Sequence, residues 1–237
     1  MKFSIVIPFY NEEKNLEILI PQLIKYLKKI KKYKFEVILV DDCSTDKSNY
    51  VAKIKSKNSK SINFKIIRLS KRSGQTGAFK KAFKRTKGNF IIRMDADLQD
   101  NPRDIIKFIK KIELGHDLVI KKRRFTRDHS NLLNISSSIY NTIMRLSLET
   151  NIGTFTSSFV AFNKKYLKEL PWYMNDHRYL PAIVTKRGVS NAAEVILDHK
   201  NRKFGSSRYN TFKKILFGIP EILLFLLRLN LGFYSIK

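Results

Sequence analysis

The 237-residue sequence contains a single cysteine, Cys43, so no intramolecular disulfide can form. Such a chain suits a reducing compartment. Negative charge is also scarce: 20 Asp and Glu stand against 47 Lys and Arg, a formal net charge of +27. A surface this basic repels itself and attracts polyanions. Nucleic acid, anionic lipid headgroups and a phosphorylated substrate are the partner classes it leaves open. The many Lys beside Ile and Asn fit equally an AT-rich codon usage. No signal peptide is legible, because "MKFSIVIPFYNEE" turns charged after ten residues and its apolar run reads as a strand. The expectation is a protein that stays in the cytoplasm. There is no internal repeat and no low-complexity linker; the nearest approach is the basic segment 53–65. A bilayer-spanning run is missing too. The apolar C-terminus is interrupted by Pro220, Glu221 and Arg228, and its longest uncharged run near the end is Ile222 to Leu227. With Lys213, Lys214 and Arg228, residues 211–237 read as an amphipathic helix lying on the cytoplasmic face of a membrane. The alternative is a core or dimer helix.

What is present is alternation. Apolar, β-rich runs at 3–9, 35–42, 64–69, 88–97 and 116–120 read as strands, with helices between them at about 47–56, 76–86 and 103–112. Leu16, Leu19, Ile20, Leu23, Leu27 and Ile30 keep helical spacing, with Pro21 predicting a kink or restart. Later, 130–148 reads as helix and 154–162 and 189–197 as strands. Continuous apolar strands alternating with helices imply an α/β fold: a mostly parallel sheet covered on both faces. In such sheets ligands bind beyond the carboxyl ends of the strands. There stand "PFYNE", "DDCSTD" and "RMDADLQD".

The last of these crowds Asp95, Asp97 and Asp100 into six residues of an otherwise acid-poor chain. Alternate residues of an extended segment point to opposite faces. Asp95 and Asp97 therefore reach one ligand only if the strand ends and the chain turns, as Pro102 and the polar run after Leu98 predict. Hard oxygen ligands on a loop suit Mg2+ or Mn2+, which take one or two carboxylates plus substrate phosphates. His116, His129, His177 and His199 are scattered and read as structural or surface residues, and Cys43 as a small turn filler.

Taken together, "IVIPFYNEEKNL", "VILVDDCSTD", "RSGQTGAFKKAFKRTKGNFIIRMDADLQDNP" and "RKFGSSRYN", in this order, resemble the inverting nucleotide-sugar glycosyltransferases of the GT-A fold. The subgroup most resembled is the polyprenyl-phosphate (dolichyl-phosphate) mannose or glucose synthases, over about residues 3–215. The resemblance implies a catalytic domain over 1–210 and the following roles. Pro8, Tyr10, Asn11 and Glu12 would pack on the donor's base and ribose, and Asp42 would hold the same part. Ser44 and Asp46 would shape the turn and cap the next helix. Asp95, Ala96 and Asp97 match the D-x-D, with Gln99 joining the metal shell. Arg123 would contact phosphate, and Arg202 and Arg208 would close over the diphosphate. Arg178 and Ser157 fall where the acceptor groove would lie, Arg178 being equally readable as a structural ion pair. A divalent ion and two or three Arg would stabilise a leaving nucleotide diphosphate. A phosphate acceptor is already ionised, so no strong base is required.

Departures are visible. Ser73 replaces an Asn, the "G-S-R" position reads Lys121-Lys122-Arg123, and Ser157-Ser158-Phe159 has lost a glycine. Three functions stay open. The first is transfer of a hexose from a nucleotide-diphosphate sugar (GDP-mannose or UDP-glucose type) to polyprenyl phosphate, with a separate membrane partner, self-association or the interfacial helix serving as anchor. The second keeps the donor but uses a hydroxyl acceptor, which needs a base; Asp176 is the late candidate. The third is non-specific nucleic-acid binding, for which no reading motif is present.

Overall fold

A computed structural model describes residues 1–59, 61–124, 131–155, 157–198, 202–204 and 211–235, with the side chains of 131–137 and 211–219 set aside. Seven strands form one sheet in the order β3-β2-β1-β4-β6-β5-β7. They are β1 (Lys2–Phe9), β2 (Lys34–Asp41), β3 (Asn63–Arg68), β4 (Phe90–Arg93), β5 (Leu118–Arg123), β6 (Val160–Asn163) and β7 (Ala192–Leu197). Every pairing is parallel except those of β6, which runs against both β4 and β5. The central strands are continuous apolar runs because both of their faces are covered. One core lies on the α1, α2 and α4 side, around Phe3, Ile5, Leu19, Leu39 and Phe108; the other lies around Val6, Ile38, Phe79, Phe162 and Ile183.

The helices are α1 (Glu13–Leu27), α2 (Ser48–Lys57), α3 (Gly74–Phe83), α4 (Ile105–Glu113), α5 (Asn131–Ser147), α6 (Leu180–Lys186) and α7 (Thr211–Asn230). α1 starts earlier than its apolar spacing predicts and runs unbroken through Pro21. A proline inside a helix removes one backbone bond, and here burial of Leu19, Ile20, Leu23 and Ile24 holds the helix across the gap. Two other expectations are corrected. The strand expected over 88–97 ends at Arg93, so the D-x-D lies wholly on a loop. The strand expected over 154–162 is confined to Val160–Asn163. Phe155 and Phe159 are buried without being paired in the sheet, so their spacing reports burial rather than a ladder.

α7 packs into the second core. Phe225, Leu229 and Tyr234 are buried, and the Phe225 ring stacks on Tyr179 at 4.1 Å. Its other side exposes Leu223, Leu224 and Leu227, and the turn that follows exposes Leu231 and Phe233. No helix among the described residues is long and apolar enough to cross a membrane.

Candidate active site at the carboxyl edge of the sheet

Parallel pairing brings the ends of β1, β2 and β4 to one edge: Phe9 lies opposite Asp41, and Val6 opposite Arg93. The loops that follow are tied to one another largely by backbone groups. Asn11 adopts a left-handed φ of 54°, which Asn tolerates better than most side chains. Its N–H donates to Ser44 Oγ (3.0 Å), and its Oδ1 accepts from the Thr45 N–H (2.9 Å). The Glu12 N–H donates to Ser48 Oγ (2.7 Å), and Asp46 Oδ1 accepts from the Ser48 N–H (2.9 Å), so Ser44 and Asp46 do lie in the turn before α2. Asp42 is buried, and its two oxygens accept the N–H groups of Ser73 (2.7 Å) and Gly74 (3.0 Å), where α3 begins. Gly74 sits at φ 67°, which glycine adopts without a Cβ penalty. Tyr10 is half-buried, and the Arg72 guanidinium lies 3.7 Å from its ring centroid. Pro8 is buried within β1, and Cys43 occupies the turn after β2 at φ 65°.

The acidic loop turns at Leu98, whose φ of 63° is strained for so bulky a residue. The turn brings the Gln99 N–H onto Asp97 Oδ1 (3.2 Å), while Asp97 Oδ2 accepts from Arg202 Nε (3.1 Å). Ala96 is buried between the two acids. Burial raises the Asp97 carboxyl above the usual carboxylate range, and the nearby Asp95 charge adds to the rise. Asp100 is raised as well, again chiefly by burial, against the pull of its ion pair with Lys121. Asp95 pairs with Arg93 (3.1 Å). Arg123 ends β5 with an exposed side chain, close enough to Asp100 and Asp97 to feel their charge. Among the described residues no group of three or more His, Cys, Asp or Glu side chains could by itself hold a metal. Two mutually repelling carboxylates do fit a cation completed by a ligand's phosphates.

Pro8, Tyr10, Asn11, Glu12, Asp42, Asp95, Ala96, Asp97, Gln99, Arg123 and Arg202 therefore all fall on or beside this edge. Arg208, His129 and His199 lie outside the described residues. Ser157 is used locally, its Oγ accepting from the Phe159 N–H (3.2 Å). Arg178 pairs with Glu221 of α7 (2.8 Å), which also accepts from Tyr179 Oη (3.0 Å). Asp176 is buried, and each of its oxygens accepts a hydrogen bond: Oδ2 from the Tyr173 N–H (2.7 Å) and Oδ1 from the Tyr234 hydroxyl (2.8 Å). Burial pushes its carboxyl up to about 6.

Two contributors escaped the sequence reading. Arg93 is fully buried and donates to Asp95, to Gln75 Oε1 (3.2 Å) and to the Ser158 carbonyl (3.3 Å). A charge closing the apolar run "FIIR" was the available signal. His177 bonds Thr76 Oγ1 through Nδ1 (2.7 Å); burial and the charges of Arg93 and Arg178 push its pKa down to about 2, so it is neutral near pH 7. Away from this edge, a groove of about 990 Å³ lies among Lys2, Lys28, Lys31, Lys34 and Asn63. It contains none of these site residues.

A family model described as glycosyl transferase family 2 matches residues 4–171. Undecaprenyl-phosphate 4-deoxy-4-formamido-L-arabinose transferases from Photorhabdus laumondii subsp. laumondii and Proteus mirabilis are 30% and 28% identical over 214 residues. The match covers 90% of this chain but 65% and 64% of those proteins, so the chain spans less than two thirds of these relatives. Among solved structures, glucosyl-3-phosphoglycerate synthase from Mycobacterium tuberculosis, in complex with Mn2+, UDP-glucose and phosphoglyceric acid, superposes with a TM-score of 0.69 at 17% identity, covering 96% of this chain and 79% of that one. S. aureus TarS 1–349 with UDP-GlcNAc gives 0.64 at 20% identity, covering 94% of this chain and 66% of that one. At these identities the structural likeness speaks for the GT-A fold.

Proposed function

The chain belongs to glycosyl transferase family 2, and from that premise we propose that it transfers a sugar, a hexose in the first instance, from a nucleotide-diphosphate donor to polyprenyl phosphate at a membrane surface, with Mg2+ or Mn2+ assisting and with inversion. The observation that carries the donor half is the meeting of the Asn11, Asp42 and Asp97 loops at one sheet edge, with Arg123 and Arg202 beside the acids. Tyr10, Asn11, Glu12 and Asp42 take the base and ribose. Arg123 and Arg202 would contact the diphosphate, where forked N–H donors suit phosphate oxygens, and the sequence pattern assigns Arg208 the same role. A divalent ion bound by Asp95 and Asp97, with Gln99 beside them, supplies further positive charge against the leaving diphosphate.

The acceptor half rests on Asp176. A hydroxyl acceptor needs a base, and the late carboxylate that would serve is committed to the Tyr173 N–H and the Tyr234 hydroxyl. An already ionised phosphate needs none. Two relatives named for undecaprenyl phosphate support the same acceptor class. Arg178 and Ser157 are the acceptor-side residues in this reading. The exposed Leu223, Leu227, Leu231 and Phe233 of the C-terminal segment, on a chain of net charge +27, suit a peripheral anchor on anionic lipid at the cytoplasmic face.

The test is transfer from UDP- and GDP-linked sugars, a 4-formamido-arabinose donor included, to a polyprenyl phosphate with Mn2+. Product with one donor, lost in Asp97→Ala, is the expected result. Transfer only to hydroxyl acceptors would overturn the acceptor, and no transfer from any donor would overturn the whole reading.

A further inference from the structure

Two short turns on different halves of the sheet meet through a hydrogen bond. One is the start of α3, where residues 73–76 reach in different directions. The Ser73 and Gly74 N–H groups hold Asp42, Gln75 Oε1 accepts from Arg93 under Asp95, and Thr76 Oγ1 lies 2.7 Å from His177 Nδ1. The other is the 3-10 turn Asp176–Arg178. It reaches outward in the same manner: Asp176 to the Tyr234 hydroxyl, Arg178 to Glu221 of α7, and His177 back to Thr76. Among the described residues, Thr76–His177 is the hydrogen bond that joins these two turns. We propose that Thr76 and His177 are positioning residues for the acceptor: their bond sets where the Asp176–Arg178 turn, and with it the Arg178 guanidinium, stands relative to the D-x-D loop.

This rests on the reading of Arg178 as an acceptor-side cation and of the acceptor as polyprenyl phosphate. The bond is not needed to hold the two elements together. The Trp172 ring packs on Phe79 (5.6 Å) and Phe83 (6.0 Å) of α3, and Tyr179 stacks on Phe225 of α7. Apolar contacts of this kind are non-directional, whereas a hydrogen bond fixes an angle as well as a distance. The His177 ring is neutral near pH 7. A neutral imidazole and a hydroxyl can each donate or accept, so the pair is satisfied in either tautomer. Arg178 itself is 53% exposed and holds Glu221 through Nη1. A guanidinium has further N–H donors, which suit a phosphate oxygen. A small displacement of a group that orients a substrate is felt directly in the rate.

The test compares the full chain as wild type with two pairs of variants. Thr76→Val keeps the shape and loses the hydroxyl, while Thr76→Ser keeps the hydroxyl. His177→Leu loses the ring nitrogen, while His177→Asn places an amide where Nδ1 stood. Thr76→Val and His177→Leu should each lower kcat/KM for polyprenyl phosphate about five- to tenfold, the scale of one lost hydrogen bond. The double variant should lose no more than either alone, because both remove the same bond. Thr76→Ser and His177→Asn should stay within about twofold of wild type, since the bond is kept. Affinity for UDP or GDP with Mn2+, read by calorimetry, should be unchanged in every variant, because the ties to Asp42 and Arg93 remain. Unchanged kcat/KM in Thr76→Val and His177→Leu, additive losses in the double variant, or nucleotide affinity falling in step overturns the positioning role and leaves the donor and acceptor readings standing. A wild type that transfers sugar to no polyprenyl phosphate overturns the acceptor reading and this inference with it.

Discussion

The two halves of the sheet hold their loops in different ways. Around β1 and β2 the loops close on one another through backbone N–H groups that donate to side chains: Asn11 to Ser44, Thr45 to Asn11, Ser73 and Gly74 to Asp42, Glu12 to Ser48. Around β5, β6 and β7 the closure comes from side chains far apart in the chain. Arg178 and Tyr179 reach Glu221, Asp176 reaches Tyr234, and Arg187 reaches the carbonyls of Lys168 (2.7 Å) and Tyr234 (3.3 Å). The contacts of Arg178, Tyr179, Asp176 and Arg187 therefore depend on the C-terminal segment, and those of the β1 and β2 loops do not.

The sharpest way to break this division is at its centre. Asp97→Ala should lower kcat by about two to three orders of magnitude, the scale of losing one preorganised electrostatic group. It should also abolish any Mn2+-dependent rise in melting temperature with nucleotide. Full activity would remove the D-x-D from the site. Next comes Glu36, at the opposite pole of the donor half. It is wholly buried in β2 and accepts from Ser4 Oγ (2.5 Å), Lys65 Nζ (2.7 Å), the Gly88 N–H (3.2 Å) and the Lys87 N–H. Gly88 is required there, since an added Cβ would lie 2.6 Å from the Ser4 nitrogen. Glu36→Ala should destabilise by about 3 kcal/mol, leaving a hydroxyl and two amides unanswered beside a partly exposed lysine, while nucleotide affinity of the folded protein stays unchanged. A drop in affinity without a drop in stability would contradict a purely structural Glu36. Glu221→Ala should cost about 2 kcal/mol, or roughly 6 °C in Tm. Its kinetic effect should fall on the acceptor KM and spare the donor KM; the reverse pattern would erase the distinction between the halves.

The same division explains what could be read from the sequence. β1, β2 and β4 were legible because burial on both faces writes continuous apolar runs, the half-buried edge strand β3 by its short apolar run, and the edge loops followed from the sheet rule. The Asp95–Asp97 turn was legible in outline, though not that Leu98 would make it with a strained φ. In the second half the signals compete. Phe155 and Phe159 carry strand-like spacing because they are buried, yet only Val160–Asn163 pairs. The Arg178–Glu221 pair joins residues 43 apart, and no local period predicts it. Arg93 was hidden differently: a terminal arginine looks like a strand's exit into solvent, and only the fold shows it closing inward under Asp95.

The smallest effect discriminates between acceptors. Asp176 is raised to about 6 by burial. A carboxyl whose folded pKa is raised contributes its full stability below its ordinary value near 4, and loses it as pH climbs through about 6. Asp176→Asn keeps both hydrogen bonds, the amide oxygen accepting from Tyr173 and the amide nitrogen donating to Tyr234. The variant and wild type should therefore unfold within about 2 °C of each other at pH 5. The variant should gain on the wild type by a few degrees between pH 5 and 8, since only the wild type has a buried carboxylate to ionise. His177, depressed to about 2, loses stability as pH falls below its usual 6.5, but equally in both proteins, so it cancels from the comparison. Arg228 is the nearby charge that favours ionised Asp176 and limits the gap. Transfer to polyprenyl phosphate should persist in Asp176→Asn across this range. If the folded variant loses transfer at every pH, Asp176 is acting as a base, and the acceptor is a hydroxyl rather than a phosphate.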